Sequence, residues 1–296
     1  MRKIKKCPIC GGKSFNPYLE CLDYSVSKEL FQLVSCNSCL FVFTNPRPES
    51  KNLGKYYISE NYISHTNKKT GLFNILYQTV RRFSIGSKIN LIKSYIHIGS
   101  ILDVGCGTGE FLFECKKNGW QTTGIEPSEI ARNQAIKNLN LEVKKETELT
   151  KFKNDSFDII TLWHVLEHIE NLDTIIKNLY RILKPNGAIF IAVPNLNSYD
   201  ANYYKSFWAA YDVPIHLWHF SKKTISLIFK KNKLRLVKTK PLIFDSFYVS
   251  LLSEKYKKNK AKYLKAFLIG FISNVVGIFS SKGHSSNIYI FKKDSF

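Results

Sequence analysis

The sequence predicts an α/β fold, in which a doubly wound, Rossmann-like sheet follows a small cysteine-containing module. Three observations predict this architecture. After residue 98, strand-like apolar runs alternate with amphipathic helical runs, which is typical of a parallel sheet covered by helices on both faces. A glycine-rich loop follows the first of these strands, and two pairs of cysteines lie within the first forty residues.

The chain is long enough for one large domain and an accessory module. It has 296 residues, of which 44% are hydrophobic, so a sizeable core is expected. We place a zinc-ribbon-like module at residues 1–45, a linker and helical cap at 46–97, and the main α/β domain at 98–296. The cap is predicted from apolar residues at helical spacing in LFNILYQTVRRF, residues 72–83.

Two C-x-x-C pairs indicate a metal site in the N-terminal module. The first is CPIC, the second is CNSC, and 25 residues separate them. Each pair turns the chain so that two thiolates point the same way, and two such turns complete a tetrahedral sulfur site for structural Zn²⁺. The alternative is a set of redox-active or unliganded thiols. The predicted ligands are Cys7, Cys10, Cys36 and Cys39.

The formal net charge is +21, and 37 of the 44 basic residues are lysine. Lysine reads bases less specifically than arginine. The charge therefore favours a general attraction to acidic substrates or anionic surfaces over a specific nucleic-acid partner. Seven cysteines without an apolar leader at the N-terminus predict a reducing, cytoplasmic location.

The longest apolar run is LKAFLIGFISNVVGIF, residues 264–279, which is shorter than the about 20 residues that span a bilayer. It predicts a buried helix or loop against the core. The alternative is a segment that rests on a membrane surface, helped by the lysine-rich flank EKYKKNKAKYLK, residues 254–265. That alternative would place the protein at the inner face of the membrane, as a peripheral contact.

The elements of the main domain follow in order. The strand ILDV (101–104) precedes the glycine loop, and a helix over FLFECKKNG ends at Gly119. The strand WQTTGIEP leads to a helix with Ser128 as its N-cap and Glu129 in its first turn. A third strand begins at FDII (157–160), a helix covers NLDTIIKNLYRIL, and the next strand is AIFIAVPN (188–195). Such sheets bind ligands at the carboxyl ends of their strands.

The loop GCGTGE does not have the G-x-G-x-x-G spacing of dinucleotide sites. Its three glycines allow backbone N–H groups and the first helical turn to approach a ligand closely. Asp103 can orient this loop or receive a cationic amino group, and Glu126 suits a ribose diol. The pattern predicts a ligand with an amino-acid group and a ribose. The predicted binding residues are Asp103, Gly105, Cys106, Gly107, Thr108, Gly109, Glu126, Pro127, Trp163 and His164.

At these residues the sequence resembles the class I S-adenosylmethionine-dependent methyltransferases, from about residue 98 onward. LDVGCGTG is similar to their first motif, GIEP to their acidic second-strand motif, and LKPNGAIFIAVPN to the loop and strand that close the core. The resemblance implies S-adenosylmethionine as the methyl donor and a seven-stranded sheet. It also implies a last antiparallel strand, for which SSNIYIFKK (285–293) is suitable, with LRLVKTK (234–240) as the strand before it.

The likeness is greatest to the ubiquinone-biosynthesis methylases, through HVLEHI and DVPIHLWHFS. Some members that resemble sugar methyltransferases also carry a zinc-knuckle module in front, as is predicted here. The resemblance therefore suggests a small-molecule, sugar or glycan, or lipid-precursor acceptor. The oligomeric state is left open.

Methyl transfer needs alignment and, where the nucleophile carries a proton, a base. In WHVLEH, His164, Glu167 and His168 follow a strand end beside the expected methyl group. H-x-x-E-H is also a zinc-peptidase signature, but the surrounding methyltransferase motifs argue against that function. In ubiquinone-type relatives an acidic version of this segment binds a divalent cation, and His164 replaces the first acid here. The alternative is that Glu167 and His168 are structural and cap the following helix.

A second candidate segment is YDVPIHLWHF, residues 211–220, an aromatic-rich loop with two imidazoles. His216 or His219 is the favoured base, because a histidine near its ordinary pKa accepts a proton at working pH. The alternative is that one of these imidazoles ties the loop to the sheet. The predicted catalytic residues are His164, His216 and His219.

Two functions remain in competition. The first is methyl transfer to a small-molecule, sugar or glycan, or lipid-precursor acceptor, on oxygen. The second is modification of RNA or protein, in which the basic zinc module grips a nucleic acid. The tetrapeptide NPPY of amino-group methylases of nucleic acids is absent, and VPNL (193–196) stands in its place, which favours the first function. The intact donor motifs argue against a non-catalytic relative.

Overall fold

The computed structural model describes residues 1–57 and 72–294, with side chains from residue 78 onward in the second range. The strands are β1 (Phe15–Leu22), β2 (Leu30–Cys36), β3 (Val42–Thr44), β4 (Ser100–Val104), β5 (Gln121–Ile125), β6 (Val143–Lys144), β7 (Phe157–Trp163), β8 (Leu183–Pro194), β9 (Trp218–His219), β10 (Leu234–Pro241) and β11 (Ser286–Lys293). The helices are α1 (Ser50–Leu53), α2 (Leu72–Lys93), α3 (Glu110–Lys117), α4 (Glu129–Leu139), α5 (Leu172–Ile182), α6 (Tyr199–Tyr204), α7 (Lys222–Lys231), α8 (Asp245–Tyr256) and α9 (Lys262–Phe279).

The large sheet has seven strands in the order β10-β11-β8-β7-β4-β5-β6. Strands β8, β7, β4, β5 and β6 are parallel to one another, whereas β11 is antiparallel to both β8 and β10. This confirms the predicted doubly wound sheet and its antiparallel last strand. The edge strand β6 was not predicted, because two residues are too short to show a hydrophobic period.

Two apolar clusters cover the two faces of this sheet. Successive residues of one strand point to opposite faces, so Leu102 and Ile160 belong to one cluster while Ile101 and Ile159 belong to the other. The central strand β8 is buried on both faces from Ala188 to Val193. A strand buried on both faces reads as a continuous apolar run, and this is why AIFIAV was recognisable in the sequence.

The N-terminal module shares its sheet with the main domain. Strands β1, β2 and β3 form an antiparallel meander, and β3 pairs with β9, so that Val42 lies opposite His219 and Phe43 opposite Trp218. The ring of Trp218 also stacks on Phe41 at a centroid distance of 5.8 Å. On the Trp218 ring lies the guanidinium of Arg47, 4.4 Å from the ring centroid. The module is therefore packed against the main domain through the YDVPIHLWHF segment, a contact that the sequence did not predict.

Two local predictions can be compared with the helices. The Ser128 side chain accepts a hydrogen bond from the backbone N–H of Ala131, which confirms it as the N-cap of α4. Helix α2 is described from Leu72 onward, and it includes the segment LFNILYQTVRRF that the helical spacing predicted. Residues 58–71, which belong to the predicted linker and cap at 46–97, lie outside the described residues.

Candidate functional site

The glycine loop lies at the carboxyl end of β4, and all three of its glycines have positive φ angles. A Cβ on Gly105 would lie 2.4 Å from Cγ2 of Val165, and one on Gly109 would lie 2.6 Å from Cδ1 of Leu141. A Cβ on Gly107 would meet nothing within 4 Å. Protein packing therefore requires Gly105 and Gly109, whereas Gly107 borders open space at the loop surface.

Glu126 follows β5, which is parallel and adjacent to β4, so its carboxylate reaches the same edge. One oxygen accepts a 2.9 Å hydrogen bond from the N–H of Gly107, and the other accepts a 2.9 Å bond from the N–H of Ser128. Arg132 donates to the backbone carbonyl of Glu126 at 2.8 Å, which holds the turn. The structure thus brings the predicted acidic residue and the glycine loop into direct contact.

Asp103 is a buried carboxylate at this edge, with 2% of its surface exposed. It accepts a 2.6 Å hydrogen bond from the hydroxyl of Thr161 on β7. Burial raises the pKa of Asp103 to about 7, although the Thr161 hydrogen bond acts in the opposite direction. A ligand cation beside this carboxylate would remove the cost of burying its charge.

Helix α2 contributes a cation that sequence reasoning missed. The ammonium of Lys88 lies 4.3 Å from the centroid of the Trp163 ring, and Phe111 meets the same ring edge-on at 5.4 Å. Burial lowers the pKa of Lys88, while the charges of Asp245 and Asp103 act to raise it. Since no motif surrounds Lys88, only the packing of α2 reveals it.

His164 stands at the end of β7 with a φ of 57° and lies between two carboxylates. Its Nε2 is 3.0 Å from Oδ2 of Asp245, and its Nδ1 is 3.5 Å from Oε1 of Glu167. Burial acts to lower the pKa of His164, but Asp245 and then Glu167 raise it to about 10. The ring is therefore an imidazolium at neutral pH, and this environment argues against the expectation that His164 accepts a proton.

Glu167, His168 and His216 form a second cluster just beyond His164. Each offers a ligand atom, and these atoms lie within 4.8 Å of one another. Glu167 is almost completely buried, and neither of its oxygens accepts a hydrogen bond from any described residue beyond the 3.5 Å contact with His164. The α5 N-cap is Asn171, whose side chain accepts from Thr174 N–H, so Glu167 and His168 do not cap that helix.

The tautomer of His216 is set by its surroundings. Its Nδ1 lies 2.9 Å from the carbonyl oxygen of Ala210, so Nδ1 carries the proton and Nε2 holds a lone pair. Burial lowers the pKa of His216, against the charge of Glu167, which raises it. The ring of His168 meets it edge-on at 4.6 Å. His216 is therefore neutral at pH 7 and close to a buried carboxylate.

His219 has a different environment, although it is only three residues further along the chain. It lies on β9, its Nε2 is 3.2 Å from the hydroxyl of Thr44, and the Tyr211 ring packs against it. Burial lowers the pKa of His219 to about 3. These contacts correspond to the alternative in which one imidazole ties the loop to a sheet, and they argue against His219 as the base.

The four predicted cysteines meet at one point of the N-terminal module, with their sulfurs within 4.8 Å of one another. Cys7 Sγ is 3.6 Å from Cys39 Sγ, and Cys10 Sγ is 3.5 Å from Cys36 Sγ. Burial raises the pKa of Cys7 and that of Cys39, the latter to about 11. Burial also acts to raise the pKa of Cys36, but backbone hydrogen bonds from Cys39 and Ser38 outweigh it and lower that pKa to about 7. Four sulfurs with a readily ionised member fit a tetrahedral thiolate site.

Comparison with known proteins shows which family the chain is similar to. A family model described as a methyltransferase domain matches residues 62–239. The chain is 36% identical over 104 residues to a ubiquinone biosynthesis O-methyltransferase of Coxiella burnetii, which covers 33% of this chain and 44% of the relative. It is 34% identical over 135 residues to the protein of that name from Rickettsia typhi, a match that covers 43% of this chain and 54% of the relative. The chain spans about half the length of the curated relatives it matches.

Two solved structures share the fold at low sequence identity. A candidate sarcosine dimethylglycine methyltransferase from Galdieria sulphuraria is 14% identical, with a TM-score of 0.51 over 74% of this chain and 86% of that one. The PH0226 protein of Pyrococcus horikoshii OT3 is 16% identical, with a TM-score of 0.50 over 72% of this chain and 91% of that one. Since the family model covers more than half of the chain, this chain belongs to the family of S-adenosylmethionine-dependent methyltransferases.

Proposed function

We propose that the protein transfers the methyl group of S-adenosylmethionine to a hydroxyl group of a small-molecule, sugar or glycan, or lipid-precursor acceptor. The observation that carries the acceptor chemistry is the cluster of Glu167, His168 and His216, beside the strand edge where the donor is proposed to bind. The similarity to O-methyltransferases supports transfer to oxygen. A hydroxyl must lose its proton during transfer, and a neutral buried histidine can take it.

The donor is proposed to lie across the carboxyl ends of β4 and β5. The open space at Gly107 and the buried carboxylate of Asp103 fit its ribose and its cationic amino group, respectively. Glu126 would exchange its hydrogen bond from Gly107 for the ribose hydroxyls. The remaining proposed contacts are Gly105, Cys106, Thr108, Gly109, Pro127, Trp163 and His164. Bound S-adenosylmethionine supplies an electrophilic methyl group with its own leaving group.

His216 is proposed as the general base. Its Nε2 would accept the proton as the acceptor oxygen forms its bond to the methyl carbon and the carbon–sulfur bond breaks. Glu167 would then stabilise the imidazolium, as its charge already favours that form. The imidazolium of His164 has a different role, because it neutralises Asp245 and orients Glu167.

The same cluster also fits a divalent cation. One carboxylate and two imidazoles are donors that suit Zn²⁺, Fe²⁺ or Mn²⁺ better than Mg²⁺. A cation held by Glu167, His168 and His216 would occupy the Nε2 lone pair of His216. It is therefore an alternative to the general base, in which the cation itself would acidify an acceptor hydroxyl. In the N-terminal module, we propose that Cys7, Cys10, Cys36 and Cys39 hold a structural Zn²⁺, which stabilises the fold and does no chemistry. Elemental analysis separates the two sites, because Cys36→Ser removes only the thiolate-bound metal and His216→Gln only the other.

The acceptor class can be tested with methyl-labelled S-adenosylmethionine, the purified protein and a host extract, with Glu126→Ala as the control. We expect label in a nuclease-resistant glycan, lipid or small-molecule fraction, and its loss with Glu126→Ala. Alkaline and acid stability of the product bond would distinguish an ether from an ester or amine. Label that nuclease removes would overturn the proposal in favour of RNA methylation.

The base can be tested by comparing His216→Gln with His219→Gln. We expect His216→Gln to lower kcat by roughly 10²–10⁴-fold, the usual contribution of a general base, with S-adenosylmethionine affinity unchanged. His219→Gln should mainly lower thermal stability, because its side chain bonds Thr44 within the small sheet. In the unmodified protein kcat should rise with pH and level off below the ordinary histidine pKa, since the pKa of His216 is lowered. Equal kcat losses in the two variants would contradict the assignment.

A further inference from the structure

Helix α9 is, within residues 1–57 and 72–294, the one helix long and apolar enough to cross a membrane. It has 18 residues with a mean hydropathy of 1.4, yet only 22% of it is buried in the protein. A core helix of this composition would be mostly buried. The greater part of an apolar helix therefore faces outward.

The two faces of α9 are inverted relative to those of an ordinary surface helix. The side that packs on the protein is built mainly from small residues, and the outer side from large apolar ones. The buried residues are Ala266, Ile269, Gly270 and Ser273. The exposed large residues are Tyr263, Leu264, Phe267, Leu268, Phe271, Ile272, Val275, Ile278 and Phe279.

The inner face is fixed to the domain, so α9 lies along the protein and does not leave it. A Cβ on Gly270 would lie 2.8 Å from Cδ1 of Phe247, which shows how closely α9 approaches α8. The hydroxyl of Ser273 donates a 2.7 Å hydrogen bond to the buried carboxylate of Asp200. Strand β11 begins at Ser286, seven residues after α9 ends at Phe279, and joins the central sheet. Both ends of the helix are thereby attached to the same body.

The charged residues within and flanking α9 in the sequence have one sign. From Lys255 to Lys282 the sequence contains seven lysines and no Asp or Glu. Lys258 and Lys260 lie in the exposed turn before α9, and Lys282 is exposed just after it. An apolar helix face between lysines is complementary to a bilayer surface, where the side chains enter the acyl boundary and the lysines meet anionic headgroups.

We propose that the outer face of α9 docks the protein, as a peripheral contact, on a membrane surface that contains anionic lipids. Lipid is favoured over a second copy of the chain, because two copies joined through α9 would bring their lysine-rich flanks together. The preceding helix α8 begins at Asp245, which contacts His164. Docking through α9 therefore holds His164 and the neighbouring cluster of Glu167, His168 and His216 in a fixed relation to the bilayer. This surface is independent of the assignment of His216 as base.

Vesicle co-sedimentation of the full chain tests the proposal, using phosphatidylcholine alone and phosphatidylcholine with about one quarter phosphatidylglycerol. We expect the protein to bind the mixed vesicles and to be released by salt. Leu264→Glu with Phe271→Glu should weaken binding by at least about tenfold, because a charge replaces apolar area that would be buried in the bilayer. Lys258→Gln with Lys260→Gln should weaken it by about fivefold for each lysine on the mixed vesicles only.

Leu30→Glu is the matched control, since Leu30 is an equally exposed leucine on β2. It should bind vesicles as the unmodified protein does. Thermal melting and S-adenosylmethionine binding should be the same in all variants, because the substituted side chains are on the surface. No binding to mixed vesicles, a dimer in light scattering that Phe271→Glu dissociates, or retention on vesicles through salt and alkaline washing would each overturn the proposal.

Discussion

The proposed donor side and the proposed acceptor side of this site are assembled in different ways. Asp103, the glycine loop and Glu126 lie within a short stretch of chain, on two strands that are adjacent in the sheet. The proposed acceptor side combines Glu167, which follows β7, with His216 in the loop before β9. His164, which is also a proposed donor contact, joins this side to Asp245 of α8, and Lys88 of α2 lies against Trp163. The first is a local structure, whereas the second exists only after the whole domain has packed.

This difference predicts how each side responds to substitutions elsewhere in the chain. Neighbouring parallel strands place their carboxyl ends at one edge, so the donor side depends mainly on β4 and β5. The acceptor side depends on the N-terminal module as well, because β3 pairs with β9 next to His216. Loss of the module should therefore affect methyl transfer more than donor binding.

The largest effect is expected from Cys36→Ser. A structural zinc site of four thiolates contributes folding energy directly, on the order of 10 kcal/mol in isolated zinc modules. The variant should therefore lose the Zn²⁺ proposed for this site and melt at a much lower temperature. Below that temperature we expect S-adenosylmethionine affinity to change by about threefold or less and methyl transfer to fall by about 100-fold or more. Elemental analysis, calorimetry and label transfer measure the three quantities, with the buried Cys115→Ser as the control. Equal losses of S-adenosylmethionine affinity and of methyl transfer would contradict the comparison, because both sides would then depend on the module alike.

The second effect separates two glycines of the same loop. Gly105→Ala places a Cβ 2.4 Å from Val165, so overpacking and the positive φ should together destabilise the protein by about 2–5 kcal/mol. Gly107→Ala meets no atom within 4 Å and should change stability by only about 1–2 kcal/mol, from its φ alone. It should nevertheless weaken S-adenosylmethionine binding, because the new methyl group enters the space proposed for the donor.

Denaturant melts and calorimetry test this pair. Val165→Ala should restore part of the stability lost in Gly105→Ala, since the clashing methyl group is then removed. The packing argument fails if Val165→Ala gives no recovery. The proposed donor position fails if Gly107→Ala binds S-adenosylmethionine as well as the unmodified protein does.

The contact between the glycine loop and Glu126 at one strand edge could be predicted because the information for it is local. The alternation of strands and helices, the glycine spacing and the position of Glu126 one strand later each have a direct physical meaning within a few residues. The sheet could be predicted for the same reason, except for β6, which is two residues long. The paired cysteines were also recognisable, since each pair is a short turn.

The acceptor side could be predicted only in part. YDVPIHLWHF indicated that imidazoles are important there, but the sequence could not distinguish His216, near Glu167, from His219, bonded to Thr44. That distinction depends on the pairing of β3 with β9, between residues far apart in the chain. Asp245 and Lys88 were missed altogether, because an isolated acid or lysine in a helix has no local signature. The raised pKa of His164 follows from Asp245 and was therefore equally hidden.

A third, smaller effect concerns Asp103→Asn. The folded-state pKa of Asp103 is about 7, above its ordinary value of 3.8, so this carboxyl costs stability as pH rises from about 4 to about 7. The amide should raise the melting temperature of the free protein at pH 8, by about 2–4 °C for each kcal/mol recovered, and leave it unchanged near pH 4. The same change should weaken S-adenosylmethionine binding roughly tenfold or more, because the charged hydrogen bond proposed between this carboxylate and the donor is lost.

Thermal melts at the two pH values and calorimetric titrations measure both parts of this prediction. In the unmodified protein, affinity should also rise between pH 5.5 and about 7 as Asp103 ionises. Asp158→Asn is a suitable control, since its carboxylate bonds Ser100 and Lys184 at the opposite end of the strands. A lower melting temperature for Asp103→Asn at pH 8 would contradict the cost assigned to this buried charge.

The smallest effect is expected from Asp245→Asn, which tests the charge of His164 on the acceptor side. His164 has its pKa raised from 6.5 to about 10, so its contribution to stability is complete below about pH 6.5 and is lost as pH rises through about 10. The amide removes the charge of Asp245, which raises the pKa of His164 more than Glu167 does. The pKa of His164 should therefore fall toward its ordinary value of 6.5. Because 36% of the His164 side chain is exposed, the stability lost at pH 8 should be only about 1 kcal/mol or less.

The titration of the His164 ring, followed by NMR and assigned with His164→Gln, measures this shift directly. The ring should stay protonated from pH 5 to about 9 in the unmodified protein and titrate within that range in Asp245→Asn. Asp173→Asn is the control, because Asp173 pairs with Lys177 on the outer surface of α5 and does not contact the site. A His164 midpoint near 6.5 in the unmodified protein would mean that its ring is neutral at working pH. The acceptor side would then contain a second candidate base, and the distinction drawn between His164 and His216 would fail.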